Sequence, residues 1–385
     1  MTLVGAALSE HPLATHAVGE TVGRLLELGG PRPDVVTMFA TEPHLGSLDD
    51  VVGAVRHLLE PRALVGASMQ SVLAGSREVM DHAAVSLMAI WFGGTRVRPV
   101  RIDSRPGSDG PELRGLSALD DASGTLVLLT DPFTFPSATA VGELARRAPA
   151  LSVVGGAASA ARRPGGNRLV LDGALHDHGA VGLWIDDTTP LATVVSQGCT
   201  PIGEPFTVTS AERTMVRELG GRPALERLLE TVDGLDDDDR ARAASGLLLG
   251  RVVDEMRETF GAGDFLVRGV LGADRDAGAL AVADEIPVGA TVQFQVRDAP
   301  GATRDLVDSL AGISAAGALC LSDVARGSEL FGTVDHDATT VTDALDSAPV
   351  AGAFCAGTYG PVGGRVALHD SAVSMLLVDP RPTWG

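Results

Sequence analysis

The chain has 385 residues, 45% of them hydrophobic, which is length and apolar content for two to three domains with cores of their own. Thirty basic residues stand against fifty acidic ones, a formal net charge of −20, so most of the surface repels a nucleic-acid backbone or an anionic membrane. Every cation is arginine, and without lysine neither Schiff-base catalysis nor the lysine-bearing phosphate loop of Walker-type NTPases is possible.

The N-terminal stretch MTLVGAALSEHPLATHAVGE has no basic leader region, and no apolar run approaches the roughly 18 residues of a membrane span. The expectation is a soluble, cytoplasmic protein. From Asp34 the chain reads DVVTMFATE, then LDDVVGAVRHLL, then ALVGAS from Ala63, then EVMDHAAVSLMAIWF from Glu78. Valine-rich runs bounded by Gly, Asp and Pro predict strands, while LDDVVGAVRHLL puts Leu48, Val51, Val52, Val55, Leu58 and Leu59 on one helical face. The order recurs as TLVLLTD from Thr125, SATAVGELARRA, LSVVGGAAS from Leu151 and RLVLDGALHDHGAVGLWI from Arg168.

A strand entering a Gly-Gly turn (ERTMVRELGGRP) and a helix beside Pro223 follow. Asp236 to Asp239 with Arg240 and Arg242 read as a solvated helix start or linker. A degraded third copy is predicted over SGLLLGRVV, FLVRGVLGAD and GALAVADEIPVGATVQFQV. The fourth runs GALCLSD from Gly317, HDATTVTDAL, PVAGAFCAG from Pro349 and RVALHDSAVSMLLV from Arg365. Val85, Val181 and Val373, at matching hairpin positions, are separated by 96 and then 192 residues, which leaves room for that third copy. The predicted fold class is therefore α/β (mixed α+β): two halves, each of two strand-helix-strand-hairpin repeats, with helices packed on mixed sheets. The predicted partition is an N-terminal segment 1–33, a first domain 34–235 and a second domain 236–385.

For a ligand, the richest stretch is GTYGPVGGR, with Gly357, Thr358, Gly360, Gly363, Gly364 and Arg365. Closely spaced glycines let backbone N–H groups converge on an anion, and an arginine pairs a carboxylate in bidentate fashion. Arg326 is a second candidate cation. Asp335, His336 and Asp337 precede a helical pattern, where an Asp caps orphan N–H groups or holds a ligand ammonium. His176 and His178, two apart on a strand end, share one face but make a weak metal pattern. Cys199, Cys320 and Cys355 form no C-x-x-C, so no zinc knuckle or disulfide framework is indicated. G-x-S-x-G and H-E-x-x-H are both absent.

QGCTPIGEPFTVT, Gln197 to Thr209, resembles the central signature of FIST domain proteins. GALAVADEIPVGATVQFQVRDA and the stretch from ELFGTVDHDATTVTDAL to VSMLLV are similar to the family's C-terminal domain, and the 64–92 and 153–185 segments to its N-terminal domain. The resemblance implies a non-catalytic bacterial sensor in signal transduction that binds a small metabolite such as an amino acid or organic acid and signals through a separate partner protein. No cofactor is expected, with haem as the alternative because some members are described as haem-binding nitric-oxide sensors; Cys199, in the central motif, is a candidate ligand, haem thiolate or redox-sensitive thiol. Asp323 stands where the family commonly has Cys, Gly357-Thr358 where Gly-Glu is common, and GASMQSV where Gly-Cys-Thr is typical. These departures imply a different ligand. A dispersed hydrolase triad is the remaining alternative.

Overall fold

The computed structural model describes residues 2–382 except 109, 258 and 262. Contacts divide the chain into two compact units, one made of Met1–Val195, Ser309–Pro361 and Arg365–Gly385, the other of Ser196–Asp308 with Val362–Gly364.

The first unit contains three of the predicted repeats, in mixed α/β form. In the first repeat, strand Val35–Thr41 leads through helix Leu48–Leu59 to the parallel strand Ala63–Met69, and Val85–Trp91 returns antiparallel beside Val35–Thr41. Gly124–Thr130, Ser137–Arg147, Leu151–Ala157 and Ala180–Ile185 repeat that order, as do Gly317–Asp323, His336–Ala344, Val350–Cys355 and Val373–Val378. Val35–Thr41, Ala63–Met69 and Val85–Trp91 are buried at every position, as strands covered on both faces must be. Helices cover the outer face: Leu48, Val51, Val52, Val55 and Leu59 face the sheet, whereas Leu58 is exposed at the edge of the predicted apolar stripe. The inner faces of the three sheets share one core, in which Phe39, Val65, Leu129, Leu183, Leu319 and Leu376 are buried together.

Each repeat sends its hairpin out of its own sheet into that of another. Ser71–Ala74 and Arg77–Met80 extend the third repeat's sheet by pairing with Val350–Cys355. Leu169–Leu171 and Ala174–His176 join the first repeat's sheet at Ala63–Met69, and Thr358–Val362 with Arg365–His369 join the second's at Leu151–Ala157. The exchange closes a three-membered ring. Polar side chains latch the swapped elements: the Leu64 amide donates to Asp172 at 2.9 Å, and Tyr359 lies between Thr130 (3.0 Å) and Ser137 (2.6 Å).

Two expectations about repeat number fail. The stretch predicted as a third copy belongs to the second unit, and the repeats are not paired two and two. Strands Leu247–Val252, Phe265–Asp274, Ala279–Val282 and Thr291–Arg297 are antiparallel, and with Phe206–Glu212 and Met215–Leu219 they close into a ring, because Thr291–Arg297 pairs with both Phe206–Glu212 and Leu247–Val252. The physical reason lies in the connections. A parallel crossover needs a dozen or more residues with helical periodicity, but residues 253–264 carry Asp254, Arg257, Gly261 and Gly263 instead. Val208, Val216, Leu249, Leu280, Val292 and Phe294 fill the barrel.

Candidate functional site

A buried polar cluster of the first unit lies where the first repeat's hairpin meets helix His336–Ala344. Arg326 is wholly buried and makes a fork-to-fork pair with Asp337, Nε to Oδ2 at 2.8 Å and Nη2 to Oδ1 at 2.9 Å. Ser322 Oγ donates to the same Oδ2 at 2.7 Å. Burial works against the Asp337 charge, but the Arg326 cation and these hydrogen bonds hold its carboxyl well below the usual carboxylate range. His336 stacks on Phe331 with ring centroids 3.4 Å apart, and its Nδ1 lies 3.0 Å from Asp337 Oδ1.

Arg326 and Asp337 therefore spend their charges on each other, which corrects the expectation of Arg326 as a cation for a ligand carboxylate. Asp335 does not cap the helix with its side chain. Its φ of +64° turns the carboxylate away, to Arg77 Nη1 at 3.0 Å and the Glu78 amide at 2.7 Å. Glu78 supplies the cap from another repeat, accepting from the Ala338 amide at 3.0 Å. Sequence reasoning missed Glu78. Its signal was an acid at a strand position next to the apolar Val79 and Met80.

Glu78 is 5% exposed, and burial lifts its carboxyl to about 7, helped by the charges of Asp337 and Asp335 and opposed by the Ala338 amide. The folded protein thus retains a proton between about pH 4.5 and 7 that the unfolded chain releases, so this group's contribution to stability falls as pH rises through that window. Glu78→Gln keeps the acceptor oxygen and removes the charge. It should stabilise by about 3 kcal/mol at pH 8 and change little at pH 4.5. Thermal melts of both proteins across that range check the sign.

The glycine-rich stretch does not form the expected anion nest. Thr358–Val362 and Arg365–His369 are hairpin strands, and Gly363 and Gly364, with φ of +56° and +76°, make the two-residue turn between them. Two consecutive left-handed residues build a primed hairpin turn, whereas a nest requires alternating hand. Gly363, Gly364 and Arg365 are exposed. Gly360 sits in the strand, where a Cβ would strike Val195, and its carbonyl lies 3.1 Å from His369 Nε2. Gly357, φ +95°, donates its amide to Asp323 Oδ2 at 3.0 Å, and Thr358 is buried. Asp323 organises the loop ends: its Oδ1 accepts from the Ala325 amide at 2.8 Å, and burial raises its carboxyl.

Cys199, in the second unit, is buried beside Val252, Phe265 and Val267, with its thiol 3.2 Å from the Gln197 carbonyl. That is the setting of a small buried hydrophobe. The surrounding motif is occupied with the fold: Gln197 Nε2 donates to the Phe265 carbonyl at 2.8 Å, and Ser196 Oγ and the Gly198 amide both reach Asp305 Oδ2. His176 is half-buried on its strand, and His178 is exposed beside Asp177. Among the described residues no group of three or more His, Cys, Asp or Glu is placed to hold a metal ion.

One cavity of about 150 Å³ opens beside this cluster, at the carboxyl ends of the parallel strands Gly317–Asp323 and Val350–Cys355. Ser71, flanked by Gln70, and Asp81 line it from the swapped hairpin and its ends, and Ser328 and Glu329 from the short helix Ser328–Phe331 that follows Arg326. Ligands of α/β sheets bind outside the carboxyl ends of strands, where loops of different units converge.

The FIST N domain matches residues 34–222 and the FIST C domain residues 224–361. An uncharacterized protein of Mycobacterium bovis is 40% identical over 382 residues, covering 97% of this chain and 98% of the relative. Another, from Mycobacterium tuberculosis, is 38% identical over 382 residues and is covered to 99%. No described helix is long and apolar enough to cross a membrane.

Proposed function

The chain belongs to the FIST family, whose domains are generally sensory domains of signal transduction, and from that premise we propose that it senses a free amino acid or small amine without transforming it. The observation that carries this reading is the cavity beside the swapped hairpin, where Asp81 and Glu329 meet the neutral donors Gln70, Ser71 and Ser328. Carboxylates suit an ammonium group, and the hydroxyls and amide suit the carboxylate of the same molecule. Among the described residues no arginine lines this cavity, so a plain organic acid is the poorer match. A ligand here would tie the first repeat's hairpin to the third repeat's loop, favour that arrangement over looser ones, and let a partner protein read the difference.

A thermal-shift panel of amino acids, amines and organic acids tests the reading. Ligand at a hundred times its Kd stabilises by about 2.7 kcal/mol, a readily measured shift. The expected result is stabilisation by an ammonium-bearing compound that disappears in Asp81→Asn/Glu329→Gln; Asn tolerates the left-handed backbone of Asp81 (φ +58°). A panel without any stabilising compound, or a shift retained in the double variant, sinks it.

A further inference from the structure

A different groove of the first unit, of about 710 Å³, lies beside the amino ends of strands Ala63–Met69 and Gly124–Thr130. Three arginines, Arg62, Arg96 and Arg98, line it together with Trp184. In a chain carrying a net charge of −20, such a grouping runs against the average field of the surface. The arginines are also held in place. Arg62 pairs with Asp34 at 3.1 Å and Arg96 with Asp186, two carboxylates that are almost wholly buried. Arg98 donates to the Ala118 carbonyl at 2.5 Å, and Asp120 on the rim is engaged by Arg147 at 3.1 Å.

Each tether uses part of a guanidinium with five N–H donors, leaving further donors on side chains that remain largely exposed. The guanidinium carbons of Arg98 and Arg96 lie 5.2 and 6.0 Å from the Trp184 ring centroid, and Trp184 Nε1 is fixed on the Ser123 carbonyl at 2.7 Å. Planar guanidinium over indole is a stacking platform that a further planar ring can join or displace. Arginine forks match carboxylate and phosphate oxygens in bidentate fashion. The volume is several times that of the amino-acid cavity and falls in the range of small-molecule sites.

We propose that this groove is a second ligand site, independent of the first, for a ring-bearing oxyanion of mononucleotide size, with the ring stacked at Trp184 and the anion held by Arg98, Arg96 and Arg62. The probes are AMP, adenosine and inorganic phosphate, titrated calorimetrically into the full chain. AMP should bind at least about tenfold more tightly than either fragment, because ring and anion are recognised together. Arg98→Ala should weaken AMP at least about tenfold, since a charge-assisted contact is lost. Trp184→Leu should reduce AMP to the affinity of phosphate, while an unchanged thermal melt certifies the fold; Arg98, exposed on its strand, provides the test if the tryptophan variant unfolds. Absence of AMP binding at millimolar concentration, equal binding of AMP and phosphate, or AMP affinity unmoved by Arg98→Ala overturns the proposal. None of these outcomes bears on the amino-acid cavity, whose test uses other residues and other compounds.

Discussion

Asp337→Ala should cost the first unit about 3–5 kcal/mol, because it strands the Arg326 guanidinium in the interior without its carboxylate. The carboxylate also accepts from Ser322 and anchors His336 against Phe331, so the loss spreads from the strand to the helix it faces. A buried pair can nevertheless be replaced at little net cost if both charges leave together. Arg326→Met/Asp337→Leu should therefore lose less than Asp337→Ala alone. Urea unfolding midpoints at unchanged slope provide the measurement, and a double variant as unstable as the single would show that the pair is worth more than its desolvation. The acid side offers a second check. Because the Asp337 carboxyl is held below its ordinary value of 3.8, its stabilising contribution is complete above that pH and fades only as pH falls toward the depressed folded value. Glu78 has the opposite sign, so Asp337→Ala should flatten acid sensitivity at low pH; it should also shrink, without removing, the Glu78 loss between about 4.5 and 7, since the Asp337 charge that helps raise that carboxyl is gone while burial, the larger cause, remains.

The repeats were legible because each strand is a run of residues buried on both faces, which leaves an apolar block in the sequence, and each helix leaves a one-sided stripe. Where each hairpin pairs was not legible. A single residue, Gln70, separates Ala63–Met69 from Ser71–Ala74, too few for a return beside the same strand, so the chain bends across to a neighbouring sheet. Periodicity records burial and not the partner that causes it. The same gap explains the misplaced site. GTYGPVGGR has the composition of an anion nest and of a hairpin turn alike, and only the sign of φ at Gly363 and Gly364 separates them. Arg326 and Asp337, eleven positions apart, looked like two independent binding groups until the fold put one against the other. The degraded third copy failed for a related reason: valine-rich runs are equally at home in a parallel sheet and in a closed antiparallel barrel, and the connections decide.

Gly352→Ala should abolish folding of the first unit or destabilise it by at least about 3 kcal/mol, and Gly66→Ala and Gly155→Ala should do the same. The three glycines occupy one position of the three repeats, in the second strand of each, as VGA, VGG and AGA in the sequence. Each faces its register partner on the parallel first strand: Gly66 faces Met38, Gly155 faces Leu128 and Gly352 faces Cys320. A Cβ at any of them would overlap that partner's carbonyl oxygen, a backbone atom that cannot rotate aside. Accommodation requires the two central strands to part, and at Gly352 the strand is also pinned by the hairpin residue Leu73 on its other edge. Burial is complete around all three, so no solvent side exists toward which the strand can relax. Gly53→Ala is the control. It lies within helix Leu48–Leu59, a Cβ there meets nothing within 4 Å, and the exchange should stabilise by about 0.5–1 kcal/mol through helix propensity alone. If the three strand variants melt with the wild type while Gly53→Ala gains, the close strand approach is not what holds the threefold ring together. If they unfold as a set, the small residue in VGA, VGG and AGA is the sequence's own record of where each pair of parallel strands must touch.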